Sequence, residues 1–152
     1  MLRTVSFEVV SGDVLTVTPH VDGVSLAALI EAYEGAKGYV DPAGGYGGLI
    51  PDYFDYGRLD QYLLGRSKSD YWVRLHGIYL LGCECGEVGC WPLIARVHQE
   101  GNTIRWDGFV QPFRAERDYS EFGPFEFAQA QYGDALKDLL IRLTSVGATS
   151  PT

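Results

Sequence analysis

PLIARVHQEGNTIRWDGFV, residues 92–110, is the stretch on which the fold turns. Two runs rich in β-branched and aromatic residues, 92–98 and 103–110, flank Glu100-Gly101-Asn102. Glycine and asparagine both accept the positive φ of a tight connection, so the pattern predicts a β-hairpin. The preceding run, YWVRLHGIYLLG, supplies a further strand over 72–81. Together the three runs read as an antiparallel meander, with residues 82–91 as its first connection. In that register residue 99 faces 103 and 91 faces 111, while 82 faces 91 and 76 faces 97. Trp106 and Phe109 are three apart, which puts them on opposite faces of a regular strand.

Outward from the meander, TVSFEVV at 4–10 alternates apolar and polar residues, the period of a strand with one buried face. Ser11-Gly12-Asp13 is a turn, and VLTVTPHV at 14–21 is its return strand. Pro19 donates nothing to a ladder, which predicts an edge position for that strand. In SLAALIEAYEG, Leu26, Leu29, Ile30 and Tyr33 fall at helical spacing behind Ser25 as N-cap, with Gly35 or Gly38 as stop. Residues 36–57 are dominated by glycine, proline and tyrosine and read as one long loop, of a kind uncommon without a purpose. A short helix is expected at 58–64. An amphipathic helix is expected over 131–143, with an Asp138–Arg142 pair four apart and Gly133 inside it. The whole is an α+β domain over 1–143: a mainly antiparallel sheet, made of the N-terminal hairpin and the three-stranded meander, with two or three helices on one face. Residues 144–152 have little to bury and read as a flexible tail.

The chain has 152 residues, 46% hydrophobic and 13% aromatic, enough for one real core. Its net charge of −8, with no basic run, argues against nucleic acid or an anionic membrane as partner and leaves room for a basic protein. No stretch approaches the ~20 apolar residues of a membrane span. The first residues do not have the form of a signal peptide. Cytoplasmic location is the expectation, and an odd number of cysteines suits a reducing compartment.

All three cysteines, Cys83, Cys85 and Cys90, lie in GCECGEVGC, residues 82–90. Three soft ligands within eight residues invite zinc, but a structural zinc site needs four. His98 stands eight residues past Cys90, about 26 Å along a strand, and His76 seven before Cys83, about 23 Å. Neither reaches the sulfurs in the meander, and His20 has no position from sequence alone. Glu84 and Glu87 can offer oxygens. Reduced cysteines shaped by Gly82, Gly86 and Gly89 can equally be small packed hydrophobes in a tight connection. There is no Cys-x-x-Cys ahead of a helix, so thioredoxin-like chemistry has no support. The register brings Trp91, Gln111 and Arg114 to the cysteine end of the sheet, where Arg114 can lower a thiol pKa or fasten a loop through Glu84, Glu87 or Asp118.

GGYGG lacks the lysine and hydroxyl of a phosphate loop, and neither a Gly-x-Ser-x-Gly elbow nor a His-Glu-x-x-His helix occurs. Tyr39, Tyr46, Tyr53 and Tyr56 can form an aromatic platform or pin the glycine-rich loop to the core. Asp41, Asp52 and Asp55 show no spacing that singles out an acid/base pair.

The run LGCECGEVGCWPLIARV, continued by WDGFVQPFR and FGPFEFAQAQYGDAL, resembles a group of bacterial proteins of unknown function. They share a Cys-x-Cys-Gly-x-x-Gly-Cys-Trp-Pro core and a Trp-x-x-Phe-x-Gln-Pro segment ahead of the last helix. The resemblance covers about residues 70–140 and implies a bacterial, single-domain protein, with no activity attached.

Taken together, these features read as a small acidic binding module. The binding residues expected are Cys83, Cys85, Cys90, Trp91, Gln111, Arg114, Tyr46 and Tyr53, the partner is a basic protein, and no cofactor is required. The alternative is a metal-binding or thiol-redox protein centred on Cys83, Cys85 and Cys90, with zinc as cofactor.

Overall fold

A computed structural model describes residues 2–39, 44–51, 58–65, 77–83, 92–111, 114 and 116–148. The fold is α+β with two antiparallel sheets. Strands β1 (Val5–Ser11), β2 (Leu15–Val21) and β3 (Val24–Ser25) form the first, and helix α1 (Leu26–Ala36) follows directly. The second sheet orders β4 (Tyr46–Gly47), β5 (Ile78–Cys83), β6 (Leu93–Glu100), β7 (Thr103–Val110) and β8 (Phe125–Ala128) side by side. Helix α2 (Leu59–Tyr62) precedes β5, and α3 (Gln129–Ala148) follows β8. Neither β4 nor β8 is expected from the sequence, so the meander is the middle of a wider sheet. The last helix runs to Ala148, five residues past the end its pattern predicts.

Two isolated pairings join the sheets, an antiparallel one between Val17 and Leu49 and a parallel one between Arg3 and Phe127. Pairing therefore passes from β1 to β2, across Leu49 to the β4 segment, through β5–β8, and back to Arg3 just ahead of β1. β2 is thus not the edge strand that Pro19 predicts. Val17 exchanges both backbone hydrogen bonds with Leu49 at 2.8 Å, while β3 pairs only with His20 and Val21. Pro19 falls between those two pairings, on the side where its missing N–H leaves no gap in a ladder.

The β6–β7 hairpin forms as expected but one residue out of register. Glu100 pairs with Thr103, and Gln99 with Ile104, so the turn is the two residues Gly101-Asn102. The register slips again between Ile94 and Arg96, where Arg96 pairs with Asp107 but Ile94 with Val110. Gly108, at φ +62°, is the extra residue of this bulge. The bulge turns Phe109 back to the face of Trp106, and both are buried. Their three-residue spacing does not separate them, because the strand between them is irregular.

The core gathers Phe7, Trp106, Phe127 and Tyr132. The Trp106 ring meets Phe127 edge-on at 4.9 Å, and Tyr132 stands edge-on to Phe7 at 6.0 Å. The Trp106 indole N–H donates to the Tyr132 hydroxyl at 3.1 Å, and that hydroxyl donates to the Leu63 carbonyl. α3 packs chiefly along β1, and α1 against β2 and β3. Two side chains bind strand backbone at two points each, as a neighbouring strand would. Gln131 on α3 accepts from the Val5 N–H at 3.0 Å and donates to the Val5 carbonyl at 2.7 Å. The Tyr62 hydroxyl likewise accepts from the Tyr79 N–H at 2.6 Å and donates to its carbonyl at 2.8 Å. Ser25 caps α1 as its position predicts, accepting from the Ala28 N–H at 3.1 Å.

Candidate functional site

Leu26, Ile30 and Glu34 stand four apart on α1, so they share one face, and all three are buried. Two of them are ordinary core residues. The third carries a carboxyl group into the same environment, with 0% of Glu34 exposed. A buried carboxylate persists only with partners for its charge and its lone pairs. Glu34 has both. Oε1 accepts from the Gly44 backbone N–H at 2.7 Å. Oε2 accepts from the Tyr46 hydroxyl at 2.7 Å, the Tyr119 hydroxyl at 2.6 Å and the Arg117 guanidinium at 3.2 Å. The Arg117 side chain is itself only 7% exposed, so charge is matched inside the protein. Burial, reinforced by the bond to Glu34, pushes the Tyr119 hydroxyl up to about 12 and drives Tyr46 up as well. Both stay neutral donors at physiological pH.

A second layer surrounds this centre. The last turn of α1 and residues 37–39 beyond it grip the segment 117–122 at several points. Tyr33 donates its hydroxyl to the Asp118 carbonyl at 2.8 Å, and the Asp118 N–H donates to the Tyr39 hydroxyl at 2.8 Å. One residue's backbone is thus held from both sides. Lys37 pairs with Glu121 at 2.9 Å. The Tyr33 ring stacks on Tyr119 at 5.8 Å and meets Phe122 edge-on at 5.3 Å. Phe122 in turn packs on Phe109 at 4.9 Å, which joins this clasp, Glu34 and the end of α1 closed on segment 117–122, to the core. The Arg117 guanidinium lies 5.1 Å from the centre of the Tyr39 ring.

The clasp sits at the end of the sheet where the cysteines begin. Tyr46 pairs with Cys83, the last residue of β5, and Gly47 with Gly82. At the same end β7 finishes at Val110 and leads into Gln111, which is buried, and whose carbonyl accepts from the Arg114 N–H at 3.0 Å. Cys83, Tyr46, Gln111 and Arg114 are therefore placed by the structure, and Cys83 and Tyr46 are paired. Cys85, Cys90, Trp91 and Tyr53 lie outside the described residues, as does His76. Gln111 follows Val110, which pairs with Ile94, so its register points to residue 93 rather than 91. The Tyr46 hydroxyl is buried on Glu34, and the Tyr39 hydroxyl accepts from the Asp118 N–H.

The remaining histidines form ordinary cross-strand pairs. His20 meets Glu8 at 3.0 Å, and His98 meets Asp107 at 2.8 Å, with Arg105 on the other carboxylate oxygen at 3.1 Å. Among the described residues no set of three or more histidine, cysteine or acidic side chains is placed to hold a metal ion. No helix among them is long and apolar enough to cross a membrane.

Glu34, Arg117 and Tyr119 are not singled out by the sequence patterns. The available signal is the position of Glu34 on the apolar stripe of α1, four residues past Ile30. Chemically, a carboxylate whose lone pairs meet four donors holds segments in place and does not present a base to a substrate. No family model, curated protein or solved structure matches this chain.

Proposed function

We propose that the chain is a binding module for a basic protein and that its contact surface is the acidic rim carried by the clasp. The observation that carries this reading is the two-sided grip of Tyr33 and Tyr39 on the Asp118 backbone. It fixes a surface segment before any partner arrives, and preorganisation of this kind reduces the ordering penalty of association. Glu116, Asp118 and Glu121 are exposed on it and Glu31 on α1, against the exposed cations Lys37, which pairs with Glu121, and Arg114. The Asp118 carboxylate is held below its usual range by the side chain and backbone N–H of Ser120, so it stays ionised. Fixed negative charge of this kind steers a cationic partner and sets its register.

The test is selection from a random-peptide display library against the wild-type chain and against the Glu116→Lys/Asp118→Lys/Glu121→Lys variant. Wild-type binders should be rich in lysine and arginine, weaken with salt, and lose at least about tenfold on the variant. Binders without basic residues, or binders indifferent to the three substitutions, would rule the reading out. Zinc or thiol chemistry at Cys83, Cys85 and Cys90 is the competing reading, supported by three thiols within eight residues. Metal analysis of protein purified without added metal decides it, with zinc or iron below about 0.1 equivalent ending the metal version.

A further inference from the structure

We infer that Glu34 makes two segments, the largely buried 44–47 and the partly exposed 117–122, a single cooperative unit that opens and closes together. The two segments are 70 positions apart at their near ends and meet at one side chain. Segment 44–47 contributes the Gly44 N–H to Oε1 and the Tyr46 hydroxyl to Oε2. Segment 117–122 contributes the Arg117 guanidinium and the Tyr119 hydroxyl to Oε2.

The coupling follows from the chemistry of that carboxylate. It is planar, so the donors on Oε2 fix the direction in which Oε1 faces Gly44. It is 0% exposed, so no water stands ready to replace a donor that leaves. Once segment 117–122 lifts, the carboxylate loses its charge partner Arg117 and one of its tyrosines together. A carboxylate in that state is strongly driven to hydration, and hydrating it means parting from Gly44 and Tyr46 as well. The same sequence runs in reverse when segment 44–47 lifts. α1 itself is the fixed support, because Leu26 and Ile30 root it in the core. The unit extends to the end of β5 through the pairing of Tyr46 with Cys83 and of Gly47 with Gly82. A disturbance at Asp118 on the rim is therefore felt where the cysteine-bearing segment begins. This coupling is intramolecular and stands whether or not the rim binds a basic protein.

Hydrogen exchange of single backbone amides in the full chain tests it. Tyr119→Phe removes one donor from the second segment and should speed exchange of the Gly44 amide in the first by about tenfold. Tyr46→Phe removes one donor from the first and should speed exchange of the Asp118 amide in the second by a similar factor. The amides of Ile104 and Phe127 serve as references and should not change. If each variant speeds only the amides of its own segment, the unit does not exist. Should either variant also speed the reference amides, Arg117→Lys, which keeps the charge, takes its place under the same criterion at Gly44.

Discussion

Tyr119 donates to Oε2 of Glu34 at 2.6 Å, between residues that are 3% and 0% exposed, across 85 positions of sequence. The bond is charge-assisted and sealed from water, the setting in which a lost partner is most costly. Glu34→Ala removes the acceptor from four donors and takes from Arg117 the carboxylate it pairs with in the interior. We expect a loss of about 3–5 kcal/mol of folding stability, measured by urea denaturation. Part of that loss belongs to the guanidinium that no longer meets the Glu34 carboxylate. Glu34→Leu combined with Arg117→Met should therefore be less destabilised than the sum of the two single variants. Strict additivity would show that Arg117 is not held by Glu34.

The clasp also gives stability a defined alkaline limit. Burial raises the Tyr119 hydroxyl in the folded protein from 10.0 to about 12. In the unfolded chain the same group ionises near pH 10. Above pH 10 the unfolded state has therefore released a proton that the native state retains, and stability falls as pH rises from 10 towards 12. Below pH 10 both states hold the proton and this group contributes no slope. Tyr46 is raised in the same direction and adds to the fall. Urea midpoints across pH 8–11 should be level and then decline. The stability advantage of wild type over Tyr119→Phe should shrink above pH 10. An advantage that grows there would contradict the assignment of Tyr119 as a neutral donor.

The hairpin of β6 and β7 is legible in the sequence because two long β-rich runs flank a turn that needs positive φ. The strands β3 and β4 are not, because two residues cannot display a period. Val24 and Tyr46 are strand residues only by virtue of the neighbours at Val21 and Cys83. Trp106 and Phe109 mislead for a related reason. Their spacing is read against an unbroken strand, and Gly108 breaks it. Glu34 is half legible. Helical spacing puts it on the face of Leu26 and Ile30, where a charge stands out. Its partners at Gly44, Tyr46, Arg117 and Tyr119 come from separate segments, and only the closed pairing of the sheets brings them to one carboxylate.

The two-point grip of Gln131 on Val5 should be a measurable part of the ring closure. β8 reaches the N-terminal segment only at Arg3, where the Arg3 N–H donates to the Glu126 carbonyl at 2.7 Å. Two residues on, the outward N–H and carbonyl of Val5 are taken by the Gln131 amide instead of a strand. Gln131→Ala leaves both groups unpaired in a part-buried position and should lower stability by about 1–2 kcal/mol. Gln131→Glu supplies an acceptor but no donor, so it should protect the Val5 amide while still losing stability. Equal exchange of the Val5 amide in wild type and in Gln131→Ala would show that the side chain is not its partner.

Two glycines should respond to alanine in opposite senses, for reasons visible at each site. Gly48 joins β4 to the Val17–Leu49 pairing. A methyl group there would lie 2.4 Å from Thr16 Cγ2 and 2.8 Å from the Val17 carbonyl oxygen. The carbonyl is backbone and is held in that pairing, so it cannot step aside without loosening the link between the sheets. Gly48→Ala should cost about 1–3 kcal/mol, in the range of overpacking a close contact. Gly133 lies inside α3 with nothing within 4 Å of an added methyl. It carries the entropic penalty of a helical glycine with no close neighbour to require it, and Gly133→Ala should raise stability by about 0.8–1 kcal/mol. Thermal denaturation of the two variants beside wild type checks both. A Gly133→Ala variant less stable than wild type would mean that this position needs the freedom of glycine for a reason other than packing.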